Sequence, residues 1–252
     1  MPQYDTESKD ELNFRYPDTN NPILSKLRET AELKLDTNLS GLEKVRTILG
    51  YAHNLFTHNG DNQPPATDPL TILLEAQAGR QFRCVEYSIL GAALLWAYGI
   101  PARTLGLKTR DVETREYGAG HVVVEHWSRE YHKWIMCDVQ VGVIPTSEET
   151  LLSAFELGEK IEQNLPVEYI PVEGSRFHGD IQAYVQWVEE YLYFFDTMTT
   201  LTFDPIDQQK EEITMLVPLG VVPPKMFQGM FEMNAVYTNS IESFYAAPAS
   251  SV

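Results

Sequence analysis

The stretch that decides the fold is GRQFRCVEYSILGAALLWAYG, residues 79–99. Its segment 89–97 contains only small and apolar side chains, which is typical of a helix buried in a protein core. Gly99 stands where a glycine commonly ends a helix, and Pro101 prevents the helix from continuing. The stretch therefore predicts a buried helix that begins at Cys84 and ends near Tyr98.

Cys84 lies at the predicted start of this helix. The free N–H groups and partial positive charge of a helix N-terminus favour a thiolate, and the same N–H groups can hold an oxyanion during acyl transfer. Arg80 and Arg83 add positive charge nearby. A lone cysteine is more often a buried structural residue, so this position alone favours the structural interpretation over a nucleophile.

Two β-prone runs follow, at 121–127 and 132–140. Only four residues separate them, so a hairpin is the economical connection. If Trp127 pairs with His132, the antiparallel register places the histidine at 121 directly opposite the aspartate at 138. Directly opposed residues share a face of the sheet, with Cβ atoms about 4.5–5.5 Å apart.

His121 and Asp138 are the partners that a nucleophilic cysteine needs. An imidazole takes the proton of the thiol, and a carboxylate orients the imidazole and stabilises its charge. Side chains alternate along a strand, so Cys137 points away from Asp138 and is predicted to be a core residue. The same alternation disfavours a disulfide between Cys84 and Cys137. The sequence thus predicts a Cys84–His121–Asp138 site.

Four further polar residues are candidates for supporting roles. Gln77 and Gln81 lie upstream of the cysteine, and either is a candidate oxyanion donor because the sites of papain-like enzymes, which this Cys–His–Asp order resembles, often use an upstream amide. Glu86 is predicted to bond within the helix terminus or to be a solvated first-turn acid. Glu125 shares the predicted face of His121 and either supports it or is solvated. The histidines lack the paired spacing of a metal site, and no phosphate or dinucleotide motif is present, so no metal and no cofactor is expected.

Composition and charge exclude several partner classes. The 252 residues carry a formal net charge of -17, and so acidic a surface repels nucleic acid and anionic membranes. Neutral or cationic partners are favoured. No apolar run is long enough for a transmembrane helix, and the polar start does not resemble a signal peptide. With two cysteines only, a reducing, cytoplasmic location is expected. Nothing in the sequence indicates the oligomeric state.

Local signals predict the remaining elements. A capping box at 40–43 predicts a helix over 41–57, and a second one at 146–149 predicts a helix that ends near 157. Asp68 before Pro69 predicts a short helix, and Asp180 caps a predicted helix with an apolar stripe. The region 212–246 mixes short β-prone runs with prolines.

The motifs of residues 79–140 resemble the transglutaminase-like branch of the papain-like enzymes. Segment 79–88 looks like the nucleophile segment of that family, 99–103 like its strand-entry motif, and 121–125 and 133–138 like its histidine and aspartate strands. A less secure resemblance extends back to His58–Asp61. The resemblance implies an α+β fold of papain-like or transglutaminase-like type, in which a buried helix starting at the cysteine packs on an antiparallel sheet.

The domain organisation expected from this resemblance has three parts. Residues 1–40 form an N-terminal extension, 41–160 the catalytic core, and 161–252 a C-terminal helix with a β-rich part packed on the core.

The resemblance also implies thiol-dependent acyl chemistry through a thioester on an amide or peptide carbonyl. Hydrolysis of a peptide or protein substrate, as by a peptidase or amidase, is the favoured reaction, because no part of the chain is clearly suited to presenting an amine. One alternative is a protein-glutamine acyltransferase that uses an amine acceptor. Another is a non-catalytic binding protein on the same fold.

Overall fold

The computed structural model describes residues 3–204 and 210–248. Its helices are α1 (Pro22–Ala31), α2 (Gly41–Leu55), α3 (Pro69–Gln77), α4 (Cys84–Ala97), α5 (Ala154–Glu162), α6 (Ile181–Glu189) and α7 (Ile241–Phe244). Its strands are β1 (Ala102–Lys108), β2 (Gly120–Ser128), β3 (Lys133–Cys137), β4 (Val143–Ser147), β5 (Thr150–Leu151), β6 (Glu168–Pro171), β7 (Phe194–Met198), β8 (Ile213–Leu216), β9 (Met226–Phe227), β10 (Phe231–Glu232) and β11 (Ala235–Thr238).

The main sheet has the strand order β11-β8-β7-β1-β2-β3 within the described residues. Its pairs are antiparallel except β8 with β11, which is parallel. Two smaller sheets, β5-β4-β6 and β10-β9, complete the β structure. The predicted α+β class, with a buried helix starting at the cysteine on a largely antiparallel sheet, is confirmed.

Helix α4 forms where the apolar stretch predicted it and packs closely on the sheet. Gly99 takes a φ of 78°, a conformation open to glycine at little cost, and thereby ends the helix. A methyl group at Gly91 would lie 3.1 Å from Leu49 and 3.3 Å from Val124. The absence of a side chain at 91 therefore lets the helix approach both α2 and β2.

The sheet separates two buried clusters, because successive side chains of a strand point to opposite faces. Val124 and Cys137 belong to the cluster that contains α4, and Val123 and Met136 belong to the cluster that contains residues of α5 and α6. Cys137 is fully buried, as the alternation predicted. Both cysteines are free thiols.

The predicted register of the β2–β3 hairpin was wrong by two residues. Trp127 pairs with Trp134 and Val124 with Cys137, whereas the sequence predicted Trp127 opposite His132. The connecting turn is 129–132 instead of the predicted 128–131, because Ser128 extends β2 and His132, with a φ of 50°, lies in the turn. Because the side-chain period of a strand is two, this offset keeps every residue on its predicted face.

The helix predicted from the capping box at 146–149 was also wrong. Residues Val143–Ser147 form β4, and Glu148 and Glu149 turn the chain with φ values of 48° and 64°. The helix starts later, as α5, where Ser153 and Glu156 form the capping box that the sequence reading passed over. Pairing of β4 with β6 competes with a helix at this position. The predicted capping box of α2 and the predicted Asp68 cap of α3 are confirmed.

The N-terminal segment is tied to the rest of the molecule. Helix α1, which the sequence reading did not predict, places Leu24 and Leu27 in the cluster around α4. Tyr4 is buried in the cluster that contains residues of α5 and α6, and the backbone of Asp5 forms a parallel β-bridge with Ser240.

The three-part division of the chain stays a prediction. Residues 1–2, 205–209 and 249–252 of its first and third parts lie outside the described residues. Within the described ranges, none of the helices combines the length and the apolar character that a bilayer crossing requires.

Candidate active site

Cys84 is the first residue of α4, and its side chain is partly exposed. The backbone N–H of Arg83 donates to Glu86 at 3.0 Å and so fixes the start of the helix. The hydroxyl of Ser88, one turn on, lies 2.9 Å from the carbonyl oxygen of Val122. This contact joins the first turns of α4 to the start of β2, where His121 lies.

His121 lies between the thiol and a carboxylate. Its Nε2 is 2.8 Å from Oδ2 of Asp138 and donates to that oxygen. The Cys84 side chain interacts with the same imidazole and contributes to the rise of its pKa, and Nδ1 is the ring nitrogen that Asp138 leaves open. His121 is 3% exposed and Asp138 is 0% exposed. The structure therefore brings the three predicted residues together in the order sulfur, imidazole, carboxylate.

Asp138 is held by a tight turn after β3. Its backbone N–H donates to Val143 at 2.9 Å, and its Oδ1 accepts the N–H of Val141 at 3.0 Å. A third group comes from α6, where the Tyr184 hydroxyl lies 3.2 Å from Oδ2. Asp138 is diagonal to His121 in the observed register, and side chains at diagonal positions of a sheet still reach each other.

The pKa values of the pair indicate an ion pair at neutral pH. Burial alone would lower the pKa of His121, but the charge of Asp138 and hydrogen bonds to Asp138 and Cys84 raise it to about 10. Burial alone would raise the pKa of Asp138, but the His121 charge and the donors His121, Val141 and Tyr184 lower it below its usual value. His121 thus carries a proton at neutral pH and Asp138 is ionised.

Aromatic side chains cover the imidazole. The ring of Trp187 meets the His121 ring edge to face, with centroids 4.9 Å apart, and Tyr191 lies at 6.1 Å. Trp187 keeps about a third of its surface exposed at 37%. An apolar wall of this kind excludes water from the imidazole and leaves an aromatic surface beside the thiol.

An open cleft of about 310 Å³ lies beside the site, and His58, Tyr87 and Arg176 are among the residues that line it. His58 belongs to the loop after α2, which bridges to Phe82 just before the cysteine. Burial, followed by the charge of His121, lowers the pKa of His58. This cleft is therefore electrostatically coupled to the site.

The two glutamines predicted as oxyanion donors have other partners. The Gln77 amide donates to the carbonyl of Thr30 at 3.2 Å. The Gln81 amide donates to the Thr57 hydroxyl at 2.6 Å. Both side chains are exposed, and these bonds direct them to other elements of the fold rather than to the sulfur of Cys84.

The two glutamates are buried and paired with arginines. Glu86 is fully buried and lies 2.6 Å from Arg83, so it bonds within the helix terminus and is not solvated. Glu125 is also fully buried. It pairs with Arg103 at 2.7 Å and accepts the N–H of Ala154 at the start of α5 at 2.9 Å. Glu125 therefore stabilises the buried cluster that contains residues of α5 and α6, rather than bonding to His121.

The sequence did not indicate that side chains of α6 and of the loop after α2 lie at the site. Tyr184 and Trp187 lie on the apolar stripe that predicted α6, but periodicity gives no sign of what such a stripe contacts. Only the resemblance of His58–Asp61 to a loop of the family pointed to this part of the chain, and it gave no role to the His58 side chain.

Comparison with known families agrees with this geometry. Residues 28–139 match the model of the transglutaminase-like superfamily. Residues 28–139 therefore match a transglutaminase-like core, and the resemblance and the fold inferred from the motifs are confirmed. No curated protein matches the sequence significantly.

Two solved structures resemble part of the chain. One is a Cytophaga hutchinsonii protein provisionally assigned as a cysteine protease, with 19% identity over 55% of this chain and 46% of that one, and a TM-score of 0.38. The other is the periplasmic domain of TgpA from Pseudomonas aeruginosa bound to ethylmercury, with 24% identity over 50% of this chain and 46% of that one, and a TM-score of 0.34. The matches span less than half the length of either structure.

Proposed function

We propose that this protein is a cysteine hydrolase that cleaves an amide or peptide bond through a thioester on Cys84. The observation that carries the proposal is the continuous chain of contacts from the Cys84 thiol through His121 to the buried carboxylate of Asp138. A nucleophile at a helix start, a base within reach and a group that orients the base are the three parts that thiol catalysis needs.

Each group has a role in the proposed acylation step. The sulfur of Cys84 attacks the carbonyl carbon, and the first-turn N–H groups of α4 point to where the oxyanion develops. The proton of the Cys84 thiol passes to His121, whose raised pKa of about 10 favours the protonated imidazole, so the sulfur attacks as a thiolate. His121 gives its proton to the departing amine, and the C–N bond breaks as the thioester remains.

Deacylation uses the same residues in the opposite protonation state. The neutral His121 left by the first step takes a proton from water, whose oxygen attacks the thioester carbonyl. The C–S bond breaks, the carboxylic acid leaves, and the sulfur is again a thiolate beside the protonated His121. Asp138 holds the Nε2–H of the imidazole in both steps, so the same ring nitrogen always faces the sulfur.

The expected substrate is a peptide or protein whose cleaved region is neutral or cationic. The net charge of -17 raises the local concentration of cationic partners and repels anionic ones. The exposed part of Trp187 next to the imidazole adds an apolar surface for a side chain or a ring of the substrate.

The first experiment tests the pairing of thiol and imidazole. Iodoacetamide labelling at pH 7, read by peptide mass spectrometry, should modify Cys84 far faster than the buried Cys137. His121→Ala should slow labelling of Cys84 by about tenfold or more, because it removes the imidazole that takes the thiol proton and pairs with the reacting sulfur. The matched control is His178→Ala, which removes an exposed histidine. A labelling rate of Cys84 that is the same in His121→Ala as in the wild-type protein would contradict the proposal.

The second experiment separates hydrolysis from transfer. Peptide amides are incubated with the wild-type protein and with Cys84→Ser, with and without a primary amine, and the products are identified by mass spectrometry. Hydrolysis gives the free acid in both media and nothing with Cys84→Ser. An amide product that appears only with added amine would instead establish an acyltransferase, and complete inertness of a labelled, folded protein would favour a binding role.

A further inference from the structure

Helix α6 lies outside residues 28–139, the stretch that matches the transglutaminase-like family. It nevertheless contacts Asp138 and His121 of the candidate site. Tyr184 and Trp187 are one helical turn apart and lie on the same face of the helix. Tyr184 reaches the carboxylate of Asp138 and Trp187 the ring of His121. The side chains that cover His121 and Asp138 therefore come from a helix outside residues 28–139.

The hydroxyl of Tyr184 is a committed donor to the carboxylate. Burial, followed by the charge of Asp138, raises the pKa of Tyr184 well above its usual value, so the hydroxyl keeps its proton. An ionised Asp138 can only accept hydrogen bonds. Its Oδ2 receives both the imidazole and this hydroxyl, while Oδ1 receives the N–H of Val141.

These contacts fix the carboxylate against rotation. His121 and Val141 each bond to one carboxylate oxygen and so limit rotation about the Cβ–Cγ bond. The Tyr184 hydroxyl, 3.2 Å from Oδ2, adds a second donor to the oxygen that holds the imidazole and narrows the remaining rotation. The imidazole then has one orientation in which Nε2 bonds to Asp138 and the other nitrogen faces Cys84.

We propose that Tyr184 is a positioning residue for this site, which acts through Asp138 to hold His121 in its working orientation. The inference rests on the proposed function of Cys84. The titratable groups near Asp138 and His121 are Cys84 of α4, His53 of α2, His58 of the loop after α2, Tyr191 after α6 and Tyr184 itself, with Cys137 on the opposite face of β3.

The substitution Tyr184→Phe isolates the hydroxyl. The ring packs against Phe177 and Trp187, with centroids 6.3 and 5.9 Å away, and a phenylalanine keeps these contacts. A matched control is Tyr4→Phe, because Tyr4 is buried in the same cluster and its hydroxyl donates to the carbonyl of Tyr193 at 2.7 Å, away from the dyad.

The test combines turnover with a spectroscopic signature that a purely structural role would not change. In Tyr184→Phe we expect kcat/KM to fall about tenfold, equivalent to about 1.4 kcal/mol. The ring ¹H and ¹⁵N resonances of His121, recorded on histidine-labelled protein and assigned with His121→Ala, should shift. Tyr4→Phe should leave both quantities at their wild-type values.

The His121 resonances decide the inference whatever the activity. Ring resonances in Tyr184→Phe that coincide with those of the wild-type protein would overturn it. If the wild-type protein turns over no substrate and shows no preferential Cys84 labelling, the proposed function has failed, and the spectra still report whether Tyr184 sets the state of His121.

Discussion

The most informative perturbation is Asp138→Asn, which removes one charge and changes the shape of the side chain very little. The wild-type carboxylate is fully buried and lies 2.8 Å from Nε2 of His121. In the variant no anion balances an imidazolium at this position. Burial, which by itself lowers the pKa of His121, then prevails, and we expect that pKa to fall below its ordinary value of 6.5.

The size of the effect follows from the wild-type pKa. A rise of the His121 pKa from 6.5 to about 10 corresponds to about 5 kcal/mol at 1.36 kcal/mol for each pKa unit, as an upper estimate. Loss of one partner of a buried ion pair costs about 3–5 kcal/mol in other proteins. We therefore expect Asp138→Asn to lower the free energy of unfolding by about 3–5 kcal/mol at pH 6.

The pH dependence of this difference has a definite sign. The folded-state pKa of His121 is raised, so its contribution is fully present below pH 6.5 and is lost as the pH rises through about 10. The folded-state pKa of Asp138 is lowered, so its contribution is present above pH 3.8 and is lost on acidification. The difference between wild type and variant should therefore be largest between these two ordinary pKa values.

Two measurements check this reasoning. Urea unfolding followed by tryptophan fluorescence gives the free energy at pH 6 and pH 10, and ring NMR gives the pKa of His121. Asp36→Asn is the matched control, because Asp36 is an exposed turn residue between α1 and α2. Equal stability of Asp138→Asn and wild type at pH 6, or a variant in which His121 still titrates near 10, would refute the argument.

Three further outcomes are expected from other parts of the structure. Glu125→Ala should lower the free energy of unfolding by about 3–5 kcal/mol in urea titrations, because it leaves the Arg103 charge buried without its carboxylate. His121→Ala should raise the pKa of His58 measured by NMR, because the positive charge that lowers it is removed. Gly50→Ala should destabilise the fold by about 1–3 kcal/mol or more in the same titrations, since its Cβ would lie 2.3 Å from a main-chain oxygen.

Each of these has its own control. The double variant Arg103→Met with Glu125→Leu should recover much of the lost stability, because no charge stays buried, and a double variant as unstable as the single one would count against the explanation. His178→Ala should leave His58 unchanged. Gly41→Ala should be harmless, since a Cβ there has no neighbour within 4 Å among the described residues. Equal costs at positions 50 and 41 would argue against the proposed clash.

The sequence predicted α4 and its end correctly because these features depend on neighbours in the chain. An apolar composition, a glycine at 99 and a proline at 101 act over a few residues. The face of each strand residue was also predictable. An offset of two residues in the β2–β3 register left His121 and Asp138 on one face, because the period of a strand is two.

The sequence was a poor guide where two local signals competed. The boxes at 146–149 and at 153–156 both have the pattern that caps a helix, and only the second one does so. Residues 143–147 instead pair with β6, more than twenty residues further along the chain. Local propensity cannot weigh such a pairing, because its free energy comes from strand contacts that form only in the folded protein.

By itself, then, the sequence predicted helices α2, α3, α4 and α6, the faces of β2 and β3, and three candidate residues for thiol chemistry, whose role stays a prediction. Only the tertiary structure decided which groups surround them. Tyr184 meets Asp138 across 46 positions of the chain, and Arg103 both pairs with Glu125 and donates to the carbonyl of Phe244 across 141 positions. Such contacts arise because buried faces must be covered and buried charges must be paired, and no short-range pattern specifies which distant segment will do so.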